Sequence, residues 1–402
     1  MSDEPHAPTP AGCPHGRDPF KAAREAEGVQ RMTAEGEEMP LVLRLQDVRR
    51  VCKDWKTFSN DDPLMIVPHS EEKVRDVRQL PIEIDPPQHT GYRKLVEPMF
   101  RRPQEPEYLA AMEALVAGHV DAALAAGETE AVRRFALPLQ SRGLALLLGL
   151  PLAEAERWIG WGVHVYHDGE DEAGMIAKAR EVDTYFAETF ARSTDPDADD
   201  FFSHLNRVEH EGRPLTREEK QGFAHMAFAG GRDTVIGTVS GILGHLSEHP
   251  EALDFLRDDP ARIVTATEEY VRWVSPLTAI ARRCPAGAEL PGGLGVSVPP
   301  GGRVGLCWPS ANRDAAVFEA ADEVVLDRAP NPHVGFGFGA HNCLGQHQAR
   351  AIIRSLLAAL CEKVERIERI SAEPRLETES SFVRQVGWDE LHVRWVPRHS
   401  SA

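Results

Sequence analysis

Apolar positions recur at helical spacing over much of the chain, and the breaks in that spacing divide it into elements. From 105 to 191 the sequence is rich in Ala and Leu, interrupted by Gly127, by Gly149-Leu150-Pro151 and by Asp168-Gly169, which predicts a helical body. Residues 193–200, with Asp195-Pro196-Asp197, read as a polar loop. Thr216 followed by Glu219 matches a capping box and opens a run predicted to stay helical from 217 to 248, ahead of Pro250. A helix of that length is expected to cross the centre of a domain. Its middle, Phe228-Ala-Gly-Gly-Arg-Asp-Thr-Val235, carries two adjacent glycines that weaken a helix interior, so something must compensate their cost.

A further helix is expected around 268–273, followed at 286–308 by a stretch dense in Gly, Pro and Val that reads as short strands and turns, where the β content is concentrated. The last helix begins after Cys343, with Ala349, Ile352, Ile353, Leu356, Leu357 and Leu360 on one stripe and Arg350 and Arg354 on the other face. Residues 1–30, rich in Pro, Gly and charge, are expected to be a loosely ordered lead-in, with structure beginning near 39–45. No repeat and no linker is visible. The expectation is one mainly α domain with small β-sheets (α+β) over 31–402.

Composition narrows the function. The chain has 402 residues, 42% hydrophobic and 27% charged, and 63 acidic against 45 basic side chains give it a net charge of -18. Such a surface repels phosphate backbones and anionic membranes, so nucleic-acid and membrane partners are not expected, and a basic patch would mark a docking site for an acidic protein. Six cysteines, Cys13, Cys52, Cys284, Cys307, Cys343 and Cys361, lack CxxC spacing and read as reduced thiols. The N-terminus lacks a signal-peptide pattern, and the longest greasy stretch, 144–152, is too short to span a bilayer. A soluble cytoplasmic protein is expected.

The strongest chemical signal is Phe336-Gly-Phe-Gly-Ala-His-Asn-Cys343-Leu-Gly345. Glycines let the backbone approach a flat ligand, and a thiolate at a helix N-terminus is favoured by the helix dipole, which makes it a good metal ligand. Read from the residues alone, three other roles stay open. Cys343 could be a buried hydrophobe, a zinc ligand with His333, His341 and His347, or a nucleophile beside a histidine.

Phe336-Gly-x-Gly-x-His341-x-Cys343-x-Gly345 resembles the haem-ligand loop of the cytochrome P-450 haem-thiolate monooxygenases. The resemblance implies haem b with Cys343 as the axial ligand of iron, Phe336 packed beside it, and oxygen insertion into C–H bonds. The family's other motifs follow in order. Gly230-Gly231-Arg232-Asp233-Thr234 resembles the acid–alcohol pair that relays protons, with glycines that open a groove for O2, and this accounts for the costly glycines. Glu269-Tyr-Val-Arg272 resembles the family's Glu-x-x-Arg pair, which Arg328 completes. In Asp85-Pro-Pro-Gln-His89-Thr-Gly-Tyr-Arg93, His89 and Arg93 match residues that bind a haem propionate, as do Arg282, with Arg283 as its neighbouring alternative, and His341. Arg232 departs from the family, many of whose members carry a smaller or apolar residue there; it is expected to point away from Asp233.

The resemblance further implies electrons from a separate [2Fe-2S] ferredoxin and its NAD(P)H-dependent reductase, with Arg101, Arg102, Arg350 and Arg354 as a candidate basic patch. Pocket walls implied for a small or medium hydrophobic substrate are residues 60–80, Met226, Ala229, Leu277, Thr278 and 381–383, including Phe382. Arg75 and Arg78, candidates for a polar substrate group, read better as solvated loop residues. The expected reaction is hydroxylation or oxidative dealkylation. The alternatives are a peroxide-driven haem-thiolate enzyme and a non-catalytic haem-binding sensor.

Overall fold

The computed structural model describes residues 18–34, 37–64, 66, 75–163 and 172–398. The expected α+β architecture is present: helices form the body and short strands its margins. The last helix, Gln346–Lys363, buries Ile352, Ile353, Leu356, Leu357 and Leu360 in the largest apolar cluster, against Met112, Val116 and Val120 of the helix Pro106–Ala126. Among the described residues Pro106–Ala126 is the one helix long and apolar enough, by length and composition, to cross a membrane, although its apolar stripe is spent on that packing.

The capping box predicted at Thr216 forms: Glu219 N–H donates to the Thr216 hydroxyl at 3.2 Å and the Thr216 N–H donates to the Glu219 carboxylate at 2.7 Å. The helix it opens is not continuous to 248. It ends as Arg217–Gly230, and after Gly231 and Arg232 a second helix, Asp233–Glu248, begins. The paired glycines lower the cost of leaving helical geometry, and Arg232, at φ -99° and ψ -83°, leaves it.

Two other expectations need correction. Order begins well before residue 39: a short helix Lys21–Ala26 and the strand Val29–Ala34 pair the lead-in with the rest. Buried Arg24 holds it, ion-paired to Asp18 at 2.6 Å and donating to Ser310 Oγ at 3.1 Å. Strands are also not confined to 286–308. Val364–Thr378 and Val383–Pro397 form a long antiparallel hairpin with several bulges, joined on one side by Glu128–Glu130. The other main sheet runs in the order Val29–Ala34, Glu37–Val42, Gly302–Cys307, Ala279–Cys284, with Glu37–Val42 and Gly302–Cys307 parallel and the remaining pairs antiparallel.

Candidate functional site

The Cys343 loop is shaped by glycine and fixed by main-chain bonds. Gly339, at φ +80°, brings the loop so close to the helix Leu45–Lys53 that a Cβ would lie 3.0 Å from the Cys52 carbonyl oxygen. Cys343 N–H donates to the Phe336 carbonyl at 2.7 Å, closing the loop just before Gln346–Lys363 starts. Desolvation pushes the Cys343 thiol up, while the Gly345 N–H and the charges of Arg93 and Arg350 pull it back down. A desolvated sulfur of this kind carries negative charge only when a cation is bound against it.

Above that loop four basic side chains converge. Arg93, on the helix Gln88–Arg101, donates to the Asn342 carbonyl at 2.8 Å. His89, one turn earlier, is buried with its ring centroid 4.2 Å from that of His341. Arg282 is buried on Ala279–Cys284, whereas Arg283 points outward to Asp62 at 3.3 Å, so the choice between these neighbours falls on Arg282. All four ring nitrogens of His89 and His341 are buried without a hydrogen-bond partner. Burial, with nearby Arg charge, drives the His341 imidazole down to about 2 and that of His89 to about 4. Two orphaned imidazoles beside two guanidiniums leave a deficit of acceptors, which a group bearing two carboxylates beside the Cys343 sulfur would fill.

Behind the loop lies a network with no such deficit. The Glu269 carboxylate is fully buried and accepts from Arg272 Nε and Nη2 (both 2.7 Å), Val325 N (2.8 Å), Arg328 Nε (3.0 Å) and Asn331 Nδ2 (3.1 Å). Arg272 spends its other N–H groups on the carbonyls of Asn312, Ala321 and Glu323. Sequence reasoning missed the adjacent Glu268, which grips Arg350 through two bonds of 2.7 and 2.8 Å and pairs with His333 at 3.1 Å. Arg350 in turn lies 4.4 Å from the Phe336 ring centre, so Glu268 braces the phenylalanine of the Cys loop. The signal was present only as a second acidic residue on the 262–274 helix, indistinguishable in sequence from a surface charge.

On the opposite side the broken helix faces open space. A Cβ at Gly230 would meet nothing within 4 Å, and Asp233 is exposed. The Thr234 hydroxyl donates to the Gly230 carbonyl at 3.0 Å. Arg232 is buried and directs Nε and Nη2 to main-chain carbonyls of residues 158–163.

The pocket-wall expectations divide. Met226, Ala229 and Leu277 are partly buried. Thr278 is instead tied up: its hydroxyl donates to the Glu377 carboxylate and accepts from Arg384 Nη1 at 2.6 Å. Phe382 is buried against Phe20, with ring centres 4.8 Å apart, in the small cluster under the N-terminal sheet. Arg75 is neither a substrate anchor in waiting nor a solvated loop residue, because it is buried and ion-paired to Glu83. Arg78 bridges Asp61 at 2.8 Å and the Glu83 carbonyl at 3.1 Å. Residues 65, 67–74 and 164–171, part of the expected wall and the expected break at Asp168-Gly169, lie outside the described residues.

Two members of the basic patch are also committed: Arg350 to Glu268, and Arg102 to Asp199 at 2.5 Å. Arg101 and Arg354 are more exposed but are also paired, Arg101 with Glu97 at 3.0 Å and Arg354 with Glu268 at 4.0 Å. Cys52, Cys284, Cys307, Cys343 and Cys361 are free thiols, and the zinc alternative finds no cluster of ligating side chains among the described residues.

Comparison with known proteins agrees with this geometry. The cytochrome P450 family model matches residues 178–386. The mycinamicin IV hydroxylase/epoxidase of Micromonospora griseorubida is 30% identical over 378 residues, covering 92% of this chain and 94% of that protein. The steroid C26-monooxygenase of Mycobacterium tuberculosis is 27% identical, covering 84% and 78%. A solved structure of a carbohydrate active P450 superposes with a TM-score of 0.90 at 42% identity, covering 95% of this chain and 98% of that one. The chain belongs to the cytochrome P450 family, and it is a haem-iron monooxygenase.

Proposed function

We propose that this enzyme binds haem b through Cys343 and uses it to hydroxylate or oxidatively dealkylate a small organic substrate, with electrons from a separate [2Fe-2S] ferredoxin and its NAD(P)H-dependent reductase in the cytoplasm. The observation that carries the reading is the unmatched basic bowl beside Cys343: the partnerless ring nitrogens of His89 and His341, with Arg93 and Arg282 next to them. Propionate carboxylates would supply the missing acceptors and fix the orientation of the ring. Desolvation raises the Cys343 thiol, and the Gly345 N–H with the Arg93 and Arg350 charges offsets part of that rise, so a bound cation would supply the rest of what the thiolate needs. When bound, a thiolate-ligated haem iron supplies the reductive cleavage of O2 that places one oxygen atom on carbon and releases the other as water.

This chain's own residues then manage protons and water. Thr234, held against the Gly230 carbonyl, has hydroxyl lone pairs free to accept from a ligand in the groove. Exposed Asp233, next to Thr234 in the chain, is the acid that would pass protons from solvent toward that hydroxyl. Glu269, Arg272 and Arg328 hold the loop side rigid while this happens.

For the substrate, the 42% identity to a carbohydrate active P450 makes an oxygenated, sugar-like molecule a candidate beside the hydrophobic terpenoid or aromatic class. A spin-state titration against both classes decides between them. The first test of the reading is the carbon monoxide difference spectrum of the reduced protein and of Cys343→Ser. A Soret band far to the red of histidine-ligated haem, lost in the variant, is expected; a histidine-type band in both would overturn it. Thr234→Ala is expected to divert most of the consumed NAD(P)H to hydrogen peroxide, and unchanged coupling would remove Thr234 from the proton path.

A further inference from the structure

The break between Arg217–Gly230 and Asp233–Glu248 is tied to two other helices, by its own Arg232 and by Gln140. Arg232, only 6% exposed, sends Nη2 to the Trp158 carbonyl at 2.8 Å and to the Gly162 carbonyl, and Nε to the Val163 carbonyl at 3.3 Å. These carbonyls belong to the last turn of Glu154–Gly160 and the residues just after it; the Trp158 carbonyl, which also accepts from Trp161 N–H at 3.2 Å, takes the guanidinium as a second donor at the negative end of the helix dipole. Gly162, at φ +84°, turns the chain so that the three oxygens point at one guanidinium. The ring of Trp158 meets Phe228, before the break, at 4.7 Å. A second strut arrives from Leu137–Leu148: buried Gln140 donates to the Gly231 carbonyl at 2.9 Å.

A bond from 158–163 therefore reaches the residue between Gly231 and Asp233. Its backbone angles set how the Gly230 carbonyl and Thr234 hydroxyl face each other. We propose that Arg232 is a positioning residue that ties the end of the Glu154–Gly160 helix to the helix break, so that loosening that end deforms the groove at 230–234. The inference rests on the reading of Asp233 and Thr234 as the proton path, but its structural half stands apart from that reading. A guanidinium is suited to the task because its planar fork spans several carbonyls at once, which neither methionine nor lysine can reproduce.

The test uses the haem-loaded enzyme with Arg232→Met, Arg232→Lys and Gln140→Leu. Amide hydrogen exchange is followed at 158–163 and 231–236, and peroxide released per NADPH consumed is measured with a surrogate [2Fe-2S] ferredoxin and reductase. In R232M both segments are expected to exchange about tenfold faster together, and the peroxide fraction to rise. R232K, which keeps the charge and part of the reach, should fall between R232M and wild type. Q140L should quicken 231–236 while sparing 158–163. If R232M folds poorly, the comparison of R232K with Q140L still decides. The proposal is overturned if 158–163 loosens while 231–236 and the peroxide fraction stay as in wild type. It is equally overturned if neither segment responds to either Arg232 variant. Thr234→Ala, run alongside, separates the two ideas: normal coupling in that variant sinks the proton path, while the exchange data still judge the clamp.

Discussion

The two sides of the site are built on opposite principles. Behind Cys343, Glu269 accepts bonds from four residues, Arg272 caps three carbonyls, and Glu268 grips Arg350, which covers Phe336. At the helix break, an added Cβ on Gly230 would meet nothing within 4 Å, and Asp233 is exposed. A sulfur proposed to hold an iron would profit from a fully satisfied buried network, which has one low-energy arrangement. A groove proposed to admit O2, protons and substrate would profit from open space beside the helix break. Rigidity is thus concentrated behind the Cys343 loop and openness at the helix break.

The comparison breaks most visibly on the rigid side. Glu269→Ala leaves the Arg272 and Arg328 guanidiniums buried without their carboxylate, and removing one partner of such a network costs about 3–5 kcal/mol. That is a large part of a domain's stability of about 5–15 kcal/mol, so little folded haem protein should accumulate. Denaturant midpoint and the yield of the carbon monoxide band measure it. A variant with near-native midpoint would mean that the network is not what holds the loop.

Acid should attack the same side next. Burial alone would raise the Glu268 carboxyl, but hydrogen bonds from His333 and Arg350 and the Arg350 charge bring it down from 4.5 to about 2. Between those values the unfolded chain holds the proton and the folded chain does not, so stability present above pH 4.5 is lost as pH falls toward 2. The upper limit is about 3 kcal/mol at 1.36 kcal/mol per unit. Glu268→Gln should flatten the stability profile in that window, measured by denaturant titration at several pH values. A profile as steep as the native one would assign the acid sensitivity elsewhere.

How far the sequence could be read follows the same division. Cys343, Glu269, Arg272 and Arg328 were legible because each role fixes residue type and order along the chain, and the structure brings the last three together. The helix break was half legible: Gly230-Gly231 announced a cost, but pattern alone carried one helix through it, because the apolar period resumes in register at Ile236. The C-terminal hairpin was not seen. Val364–Thr378 is mostly exposed and charged, and its bulges shift the register at several points, so no steady alternation marks it. His-Val-Arg-Trp-Val at 392–396 was the alternating signal that was available. Arg75 misled because a buried ion pair with Glu83, eight residues on, looks in sequence like two loop charges. Thr278 and Phe382 were placed by analogy with pocket walls, and Arg384 and Phe20, distant in sequence, claim them instead.

On the open side, contact decides which glycine tolerates a methyl group. Gly222 sits where the segment 75–84 crosses Arg217–Gly230, and a Cβ there would lie 2.2 Å from the Arg78 carbonyl oxygen. Gly222→Ala must push backbone away, at about 1–3 kcal/mol, and should loosen the Arg75–Glu83 segment. A calorimetric or denaturant loss below about 0.5 kcal/mol would mean that the segment yields freely.

Gly230→Ala should behave in the reverse manner and show the smallest change in stability. Its φ is not in the left-handed region, and a Cβ meets nothing within 4 Å, so the folded state gains no clash. The unfolded chain loses backbone freedom, which favours folding by up to about 1 kcal/mol. The added methyl nevertheless sits on the residue whose carbonyl accepts the Thr234 hydroxyl bond, in the groove where the proposed chemistry needs room for a diatomic ligand and a proton donor. A protein as stable as the native one, with an intact thiolate spectrum but a several-fold lower ratio of product to NAD(P)H consumed, is therefore expected. Were coupling unchanged while stability rose, the glycine would be a tolerated helix end with no part in the reaction, and the open side would be defined by Asp233 and Thr234 alone.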